Sequence, residues 1–336
     1  MTYRLRPNKP FAAEFRSVAE TQLEKAIRLL EEQPGGPHEA VHDARKKFKR
    51  VRALYRLIQP EAKEFRRQEN ARIRDMAQTL SAVRDATALV ETVDYLAASA
   101  GSPEEIAALT FASRTLTERR DRIATEEHDL PGKMKSAITT CREAIRSLEE
   151  VDLDFGERRT ARMLAAAWKR QRQRAHSALR ECHEHASGEA FHELRKSGQT
   201  YWMNLSLLGR IWPSAMRAKQ EQAKGLVDIL GHEHDLSVLS QLVNESPEIF
   251  GGSEALALIL GAIIARQQSL RREALPLAEK VFADEPDMEA AIVESLWREA
   301  GRRRHGKKPH HRKCGVTGDH ANEDAKQVTA ARIAAE

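Results

Sequence analysis

Apolar residues recur at helical spacing along most of the chain. Phe11–Glu32 places Phe15, Val18, Leu23, Ile27 and Leu30 on one side of a first helix. Pro34-Gly35-Gly36-Pro37 is a turn, and Pro37 is well placed as the first residue of a second helix. That helix runs to about Ile58, before Pro60, and sets Ala44, Phe48, Val51, Tyr55 and Ile58 on one stripe. A long third helix is predicted over 61–99, stopping at Gly101, and a fourth over 103–128, broken by Pro131-Gly132. A shorter fifth follows over 133–148. Residues 151–156 read as a linker, and helices recur near 157–186, 189–210, 214–246, 254–283 and 287–300. Ser187 is placed to cap one of them and Pro213 to start another. No run of alternating β-branched residues stands out. The fold class expected is all-α, with long amphipathic helices and short turns giving antiparallel bundles.

The polar side of the second helix changes this picture. Residues 41–57, VHDARKKFKRVRALYRL, hold seven Lys and Arg and one acid, Asp43. At about 100° per residue, His42, Arg45, Lys49, Arg52 and Arg56 fall within roughly 80° of one another. Lys46 and Arg50 extend the same face. A merely solvated charged face is the usual meaning of such a run. Here each like-charge pair at i, i+3 or i, i+4 costs a few tenths of a kcal/mol. A cationic row with so little counter-charge points to an anion supplied from outside.

The chain also echoes itself. Val41-His42-Asp43-Ala44-Arg45-Lys46 returns as Phe191-His192-Glu193-Leu194-Arg195-Lys196, 150 residues on. Leu80…Arg84-Asp85 returns as Leu230…His234-Asp235 at the same offset, and Arg74 matches Lys224. Arg114…Arg119-Arg120 resembles Arg266…Arg271-Arg272 at an offset of 152. The simplest reading is an internal duplication of a helical unit of about 150 residues, over 1–150 and 151–300, with five elements in each half. The second basic helix is weaker: Gln199, Thr200 and Trp202 stand where Lys49, Arg50 and Arg52 stand in the first. Anion binding is therefore expected to be asymmetric, with most affinity from the N-terminal half.

Composition agrees with an ordered helical protein. The 336 residues are 41% hydrophobic and only 5% aromatic, and the net charge is +5. Cys141, Cys182 and Cys314 are an odd number without framework spacing, as expected of reduced thiols in a cytoplasmic protein. The segment MTYRLRPNKP has no apolar core, so no signal peptide is expected. The most apolar stretch, 255–265, is too short to span a bilayer, and no membrane partner is expected. Residues 301–313, GRRRHGKKPHHRK, begin a basic tail over 301–336 that reads as disordered. His310, His311, Cys314 and His320 in it fit no standard zinc spacing, so neither a metal nor another cofactor is expected.

With these residues in view, the chain resembles the CHAD (conserved histidine α-helical domain) family. YRLRPNKPF, VHDARKKFKRVRALYRL and LSAVRDATALV look like its first half. FHELRKSGQTYWMNLSLLGRIWP and LVDILGHEHDLSVL look like its second. The resemblance covers about residues 1–300. It implies two pseudo-symmetric antiparallel four-helix bundles related by a pseudo-twofold axis, with basic surfaces meeting at a central groove or pore, and it implies binding of inorganic polyphosphate. The Glu-x-Glu-x-Lys motif of the triphosphate-tunnel domain that often accompanies this family is absent, so a stand-alone, non-catalytic binder is expected, with polyphosphate granules and their proteins as further partners.

The residue types suit that ligand. Arg offers forked hydrogen bonds to phosphate oxygens and Lys a mobile point charge. Counterions displaced from the polymer supply much of the free energy. The ligand set expected is His42, Arg45, Lys46, Lys49, Arg50, Arg52, Arg56, Arg74, Arg114, Arg119 and Arg120 from the first half. From the second half it is His192, Arg195, Lys196, Lys224, Arg266 and Arg271. His42 and His192 either donate a ring N–H to phosphate or pack between helices. Asp85 and Asp235 either orient an Arg or His in the cleft or form surface ion pairs.

Three rivals remain open on sequence, one of them a purely structural helical scaffold that would lose only a little surface charge if Arg45, Lys49 and Arg52 were neutralised. A nucleic-acid binder would use the same phosphate chemistry, but the basic helix lacks aromatic interleaving beyond Tyr55, and no helix-turn-helix, RRM or finger signature is evident. A metal-dependent phosphohydrolase would need more His and Asp ligands in register with His42-Asp43 or His234-Asp235, and His232 and His234 lie on different helix faces.

Overall fold

A computed structural model describes residues 3–302 of the chain. Among the described residues there are eleven α-helices and no strand: α1 (Phe11–Glu32), α2 (Pro37–Leu57), α3 (Lys63–Thr79), α4 (Ala82–Ala97), α5 (Pro103–Glu126), α6 (Leu130–Ser147), α7 (Glu157–His185), α8 (Gly188–Leu207), α9 (Pro213–Glu245), α10 (Ser253–Val281) and α11 (Pro286–Arg302). A 3₁₀ turn, Pro247–Phe250, precedes α10. The basic tail and its His and Cys residues lie outside the described residues.

Local chemistry accounts for most boundaries. Gly36 precedes α2 at φ +94°, a backbone region that side chains disfavour, and Pro37 then opens the helix. Ser102 and Ser187 cap α5 and α8 by accepting from the backbone N–H of Glu105 (3.1 Å) and Ala190 (3.2 Å). Pro131 sits in the first turn of α6, where its missing N–H costs nothing, so Pro131-Gly132 opens a helix instead of breaking one.

The single helix expected over 61–99 is two helices, α3 and α4, meeting at Leu80-Ser81. The first half therefore has six elements where five were expected. The Thr79 hydroxyl donates to the Met76 carbonyl (2.8 Å), competing with the backbone ladder at the point where it fails. α9, which carries the echoed Leu230…His234-Asp235, runs unbroken through Gly231, with Leu230 and Leu236 fully buried.

Two apolar cores hold these helices. The larger takes side chains from α1, α2, α3, α6, α7, α8 and α11, with the first part of α9 and the last part of α10. It contains the whole predicted stripe of α2, from Ala44 to Ile58, at 0–1% exposure. The smaller joins α4 and α5 to the far end of α9 (Leu236, Leu239, Val243) and the near end of α10 (Ile259, Ile263) around Phe250. Each core draws on residues from both sides of the linker.

One charged cluster lies inside the larger core. Arg172, 1% exposed, pairs with Glu289 (2.5 Å) and donates to the Asp284 carbonyl (2.7 Å). Glu289 also accepts from the Trp168 indole (3.0 Å) and the Tyr201 hydroxyl (2.7 Å). These bonds fasten α11 to α7 and α8, and they explain why one cation of the run Lys169–Arg174 turns inward.

Candidate anion-binding groove

α2 and α8 pack against each other, and an N-terminal strap fixes the pairing. Leu5 N–H donates to the Leu207 carbonyl (2.8 Å), and the Tyr3 hydroxyl donates to the Arg50 carbonyl (2.6 Å). With the apolar stripe of α2 buried, its cationic face is turned toward α8, α9 and the α3–α4 junction.

Lys49 occupies the middle of this face. Its side chain is exposed, yet protein crowds it on enough sides that burial is the main cause pulling its pKa down to about 8. Both hold for an ammonium lining a groove. Arg195, Arg45 and Arg52 press in the same direction, while Asp235 opposes them. No carboxylate lies within ion-pair distance of Lys49 among the described residues. Arg45 donates to the Ala77 carbonyl (2.7 Å), and its nearest acid, Asp85, is 3.9 Å away and 63% exposed. Arg52 donates to the neutral amide of Asn70 (2.9 Å). Arg56 donates to the Thr200 hydroxyl, and burial lowers its pKa to about 10. The central cations are thus held largely by neutral groups.

The second copy of the motif faces the first. Arg195 is lowered chiefly by burial, and its Nε finds no hydrogen-bond partner in the protein. Asp235 lies within electrostatic reach of Arg195, His232, Arg84 and Lys49, with burial holding its carboxyl above the usual range. Asp235 is therefore a central carboxylate, whereas Asp85 sits at an exposed edge. His42 accepts at Nδ1 from Arg84 Nε (3.0 Å), which leaves Nε2 to carry the ring proton. His192 Nδ1 faces His234 Nδ1 at 3.1 Å. Burial first, then neighbouring cations, lowers the pKa of both His42 and His192, and His234 falls to about 4.

The other expected ligands are engaged differently. Lys46, Arg74, Arg120, Lys196 and Lys224 each pair with a carboxylate one to four residues away: Asp43, Asp75, Asp121, Glu193 and Asp228. Arg50 lies over the Tyr3 ring and Arg114 over Phe111. Arg266 donates to the Tyr95 hydroxyl (2.7 Å from Nε). Arg271 pairs with buried Glu233 (2.7 Å) and covers Phe191, so it ties α10 to α9 and α8. Arg119, on α5, makes none of these contacts. Arg84, His234, Arg66, Arg170 and Arg174 are basic groups of this region that the sequence reading did not select. For Arg84 and His234 the signal was present, because both stand in the repeated motif beside the aspartates.

The family model of the CHAD domain matches residues 18–244. The chain belongs to the CHAD family. The matched span includes α2, α8 and α9, hence every central cation of the groove. The CHAD match ends before α10 and α11, so Arg266 and Arg271 fall beyond it. A comparison with curated proteins finds no match. For this CHAD chain, no helix among the described residues is long and apolar enough to cross a membrane. The described His, Cys, Asp and Glu donors that come close enough for a shared metal ion are Glu181, Glu184 and His185, all exposed. None of them belongs to the His-Asp pairs of the hydrolase reading.

Proposed function

We propose that this CHAD protein binds inorganic polyphosphate in the groove between α2, α8 and α9, as a binder and not as a catalyst. The observation that carries the reading is the cationic row itself. Arg45, Arg52 and Arg56 lie against carbonyl, amide and hydroxyl partners, Lys49 forms no ion pair among the described residues, and the row's counter-charges are an exposed Asp85 3.9 Å from Arg45, Asp75, already paired with Arg74, and the single central carboxylate Asp235. Desolvated cations that repel one another gain most from a polyanion, because phosphate oxygens satisfy their donors and remove the repulsion. The α8 side adds Arg195 and the His192–His234 pair, and it lacks cations at Gln199 and Trp202, so binding is asymmetric.

An internal duplication and pseudo-twofold relation of the two halves belong to this reading. Support comes from recurring partners: α1 packs on α2 and α6 as α7 packs on α8 and α11, and α4 packs on α5 as α9 packs on α10. A cytoplasmic setting and attachment to polyphosphate granules are the corresponding cellular proposals. The test is a titration with polyphosphates of graded length at several salt concentrations. Affinity should rise with chain length and fall steeply with salt. Salt-independent binding, or a clear preference for DNA at fixed salt, would overturn the reading.

A further inference from the structure

Five arginines from three helices converge at one end of the groove, two of them belonging to its cationic row. Arg52 and Arg56 lie on α2, Arg66 on α3, and Arg170 and Arg174 on α7. Arg56 is within electrostatic reach of Arg52, Arg66 and Arg174, and Arg66 is within reach of Arg174 and Arg170. Among the described residues none of the five forms an ion pair with a carboxylate. The acid that Arg52 feels, Asp75, is already paired with Arg74 (2.7 Å). Arg66 Nε is buried with no protein partner. Like charges within electrostatic reach repel, and the fold offsets this with neutral partners for Arg52 and Arg56 and with no ion pair for any of the five among the described residues.

The space beside two of them, Arg56 and Arg174, is concave. A cleft of about 650 Å³ lies along α7 and α8, with Arg56, Arg174 and Gln171 among its walls. The Gln171 amide nitrogen is also buried without a partner. The α8 side of this cleft carries Glu189 and Glu193, the latter paired with Lys196, and Glu181 lies further along α7. These acids repel an anionic chain from the start of α8 and favour the Arg56–Arg174 end of the cleft.

We propose that Arg66, Arg170 and Arg174 form a second phosphate-binding arm that continues the groove across α3 and α7. A long polyphosphate chain is then held by two sets of cations, and a short one by the first set alone. This rests on the polyphosphate reading and adds a path and a length preference to it. Lys49 and Arg56 are already about 10.5 Å apart along the α2 axis. A three-phosphate chain seated at Lys49 and Arg195 falls short of α7.

The test compares the full chain with its Arg66→Gln/Arg170→Gln/Arg174→Gln variant, using tripolyphosphate and a long-chain polyphosphate. Tripolyphosphate affinity should be unchanged, which also reports that the variant is folded. Long-chain affinity should fall about tenfold or more. The slope of log affinity against log salt should flatten by about 2, at ~0.7 per lost contact. The triple lysine variant should keep the slope. Unchanged long-chain affinity and slope in the glutamine variant overturn the second arm while leaving the groove intact. Loss of single-stranded RNA binding with polyphosphate binding untouched assigns the arm to RNA and overturns it equally. If the wild-type chain binds neither polyphosphate, the underlying reading fails first.

Discussion

Arg84 Nε donates to His42 Nδ1 at 3.0 Å, and His234 faces His192 across 3.1 Å at the same separation of 42 residues along the chain. The neighbouring pairs share a register too: Arg45 meets Asp85, and Arg195 feels Asp235, each 40 residues apart. In both halves a His-x-x-Arg turn is thus read by a basic-Asp turn of a neighbouring helix. Arg84 has two effects on His42: it occupies Nδ1, and its charge lowers the ring's pKa after burial and Lys46. Arg84→Met should therefore raise the His42 titration midpoint, followed by its ring proton resonances in NMR. An unchanged or lower midpoint would show that the contact does not govern this histidine.

Lys49 makes the groove sensitive to alkali. Its folded pKa, about 8, lies below the ordinary lysine value, and bound phosphate favours the charged form. Polyphosphate affinity should therefore decline as pH rises through about 8, and Lys49→Arg should remove that decline.

The same depression bears on stability. The fold disfavours charged Lys49, and this cost is fully present below about pH 8 and fades toward the unfolded value of 10.5. Water reaches this side chain, so the effect is modest. Lys49→Met should raise Tm at pH 7 by about 1–2 °C, and the gain should vanish near pH 10.5.

Removing the centre of the cationic row separates a binder from a scaffold. Arg45→Gln/Lys49→Gln/Arg52→Gln should weaken polyphosphate binding by roughly 100-fold, at about 1 kcal/mol for each of the three water-exposed contacts. The salt slope should flatten by about 2. Circular dichroism should be unchanged, since none of the three supports the fold through a buried ion pair.

Arg172 and Glu289 are the opposite case. Glu289→Ala leaves a fully buried guanidinium without its carboxylate, at a cost of ~3–5 kcal/mol. Thermal unfolding should shift down by about 10 °C, while polyphosphate binding below the transition should persist.

The sequence carried the helices and the dry stripe of α2 because proline, glycine and 3.6-residue spacing act locally. It carried the aspartates because they repeat. It did not carry the α3–α4 break, where Thr79 disturbs a pattern that stays apolar throughout. Nor did it separate Arg172 from Arg170 and Arg174: three arginines alternate along one helix, and only the packing of α11 decides which turns inward. The paired states of Lys46, Arg74, Arg120, Lys196 and Lys224 were partly legible, since each has an acid within four residues. The neutral partners of Arg45, Arg52 and Arg56 come from α3 and α8 and required the folded chain.

The helices α9 and α10 each bury one end in either core. A piece ending at the linker would keep α4 and α5 but lack the far wall that covers them, and would expose Leu89, Val93, Leu109 and Leu116. The stretch that repeats along the chain is therefore not a stretch that closes by itself. Cutting the chain at residues 151–156 would thus leave each fragment with apolar surface whose cover lies on the other.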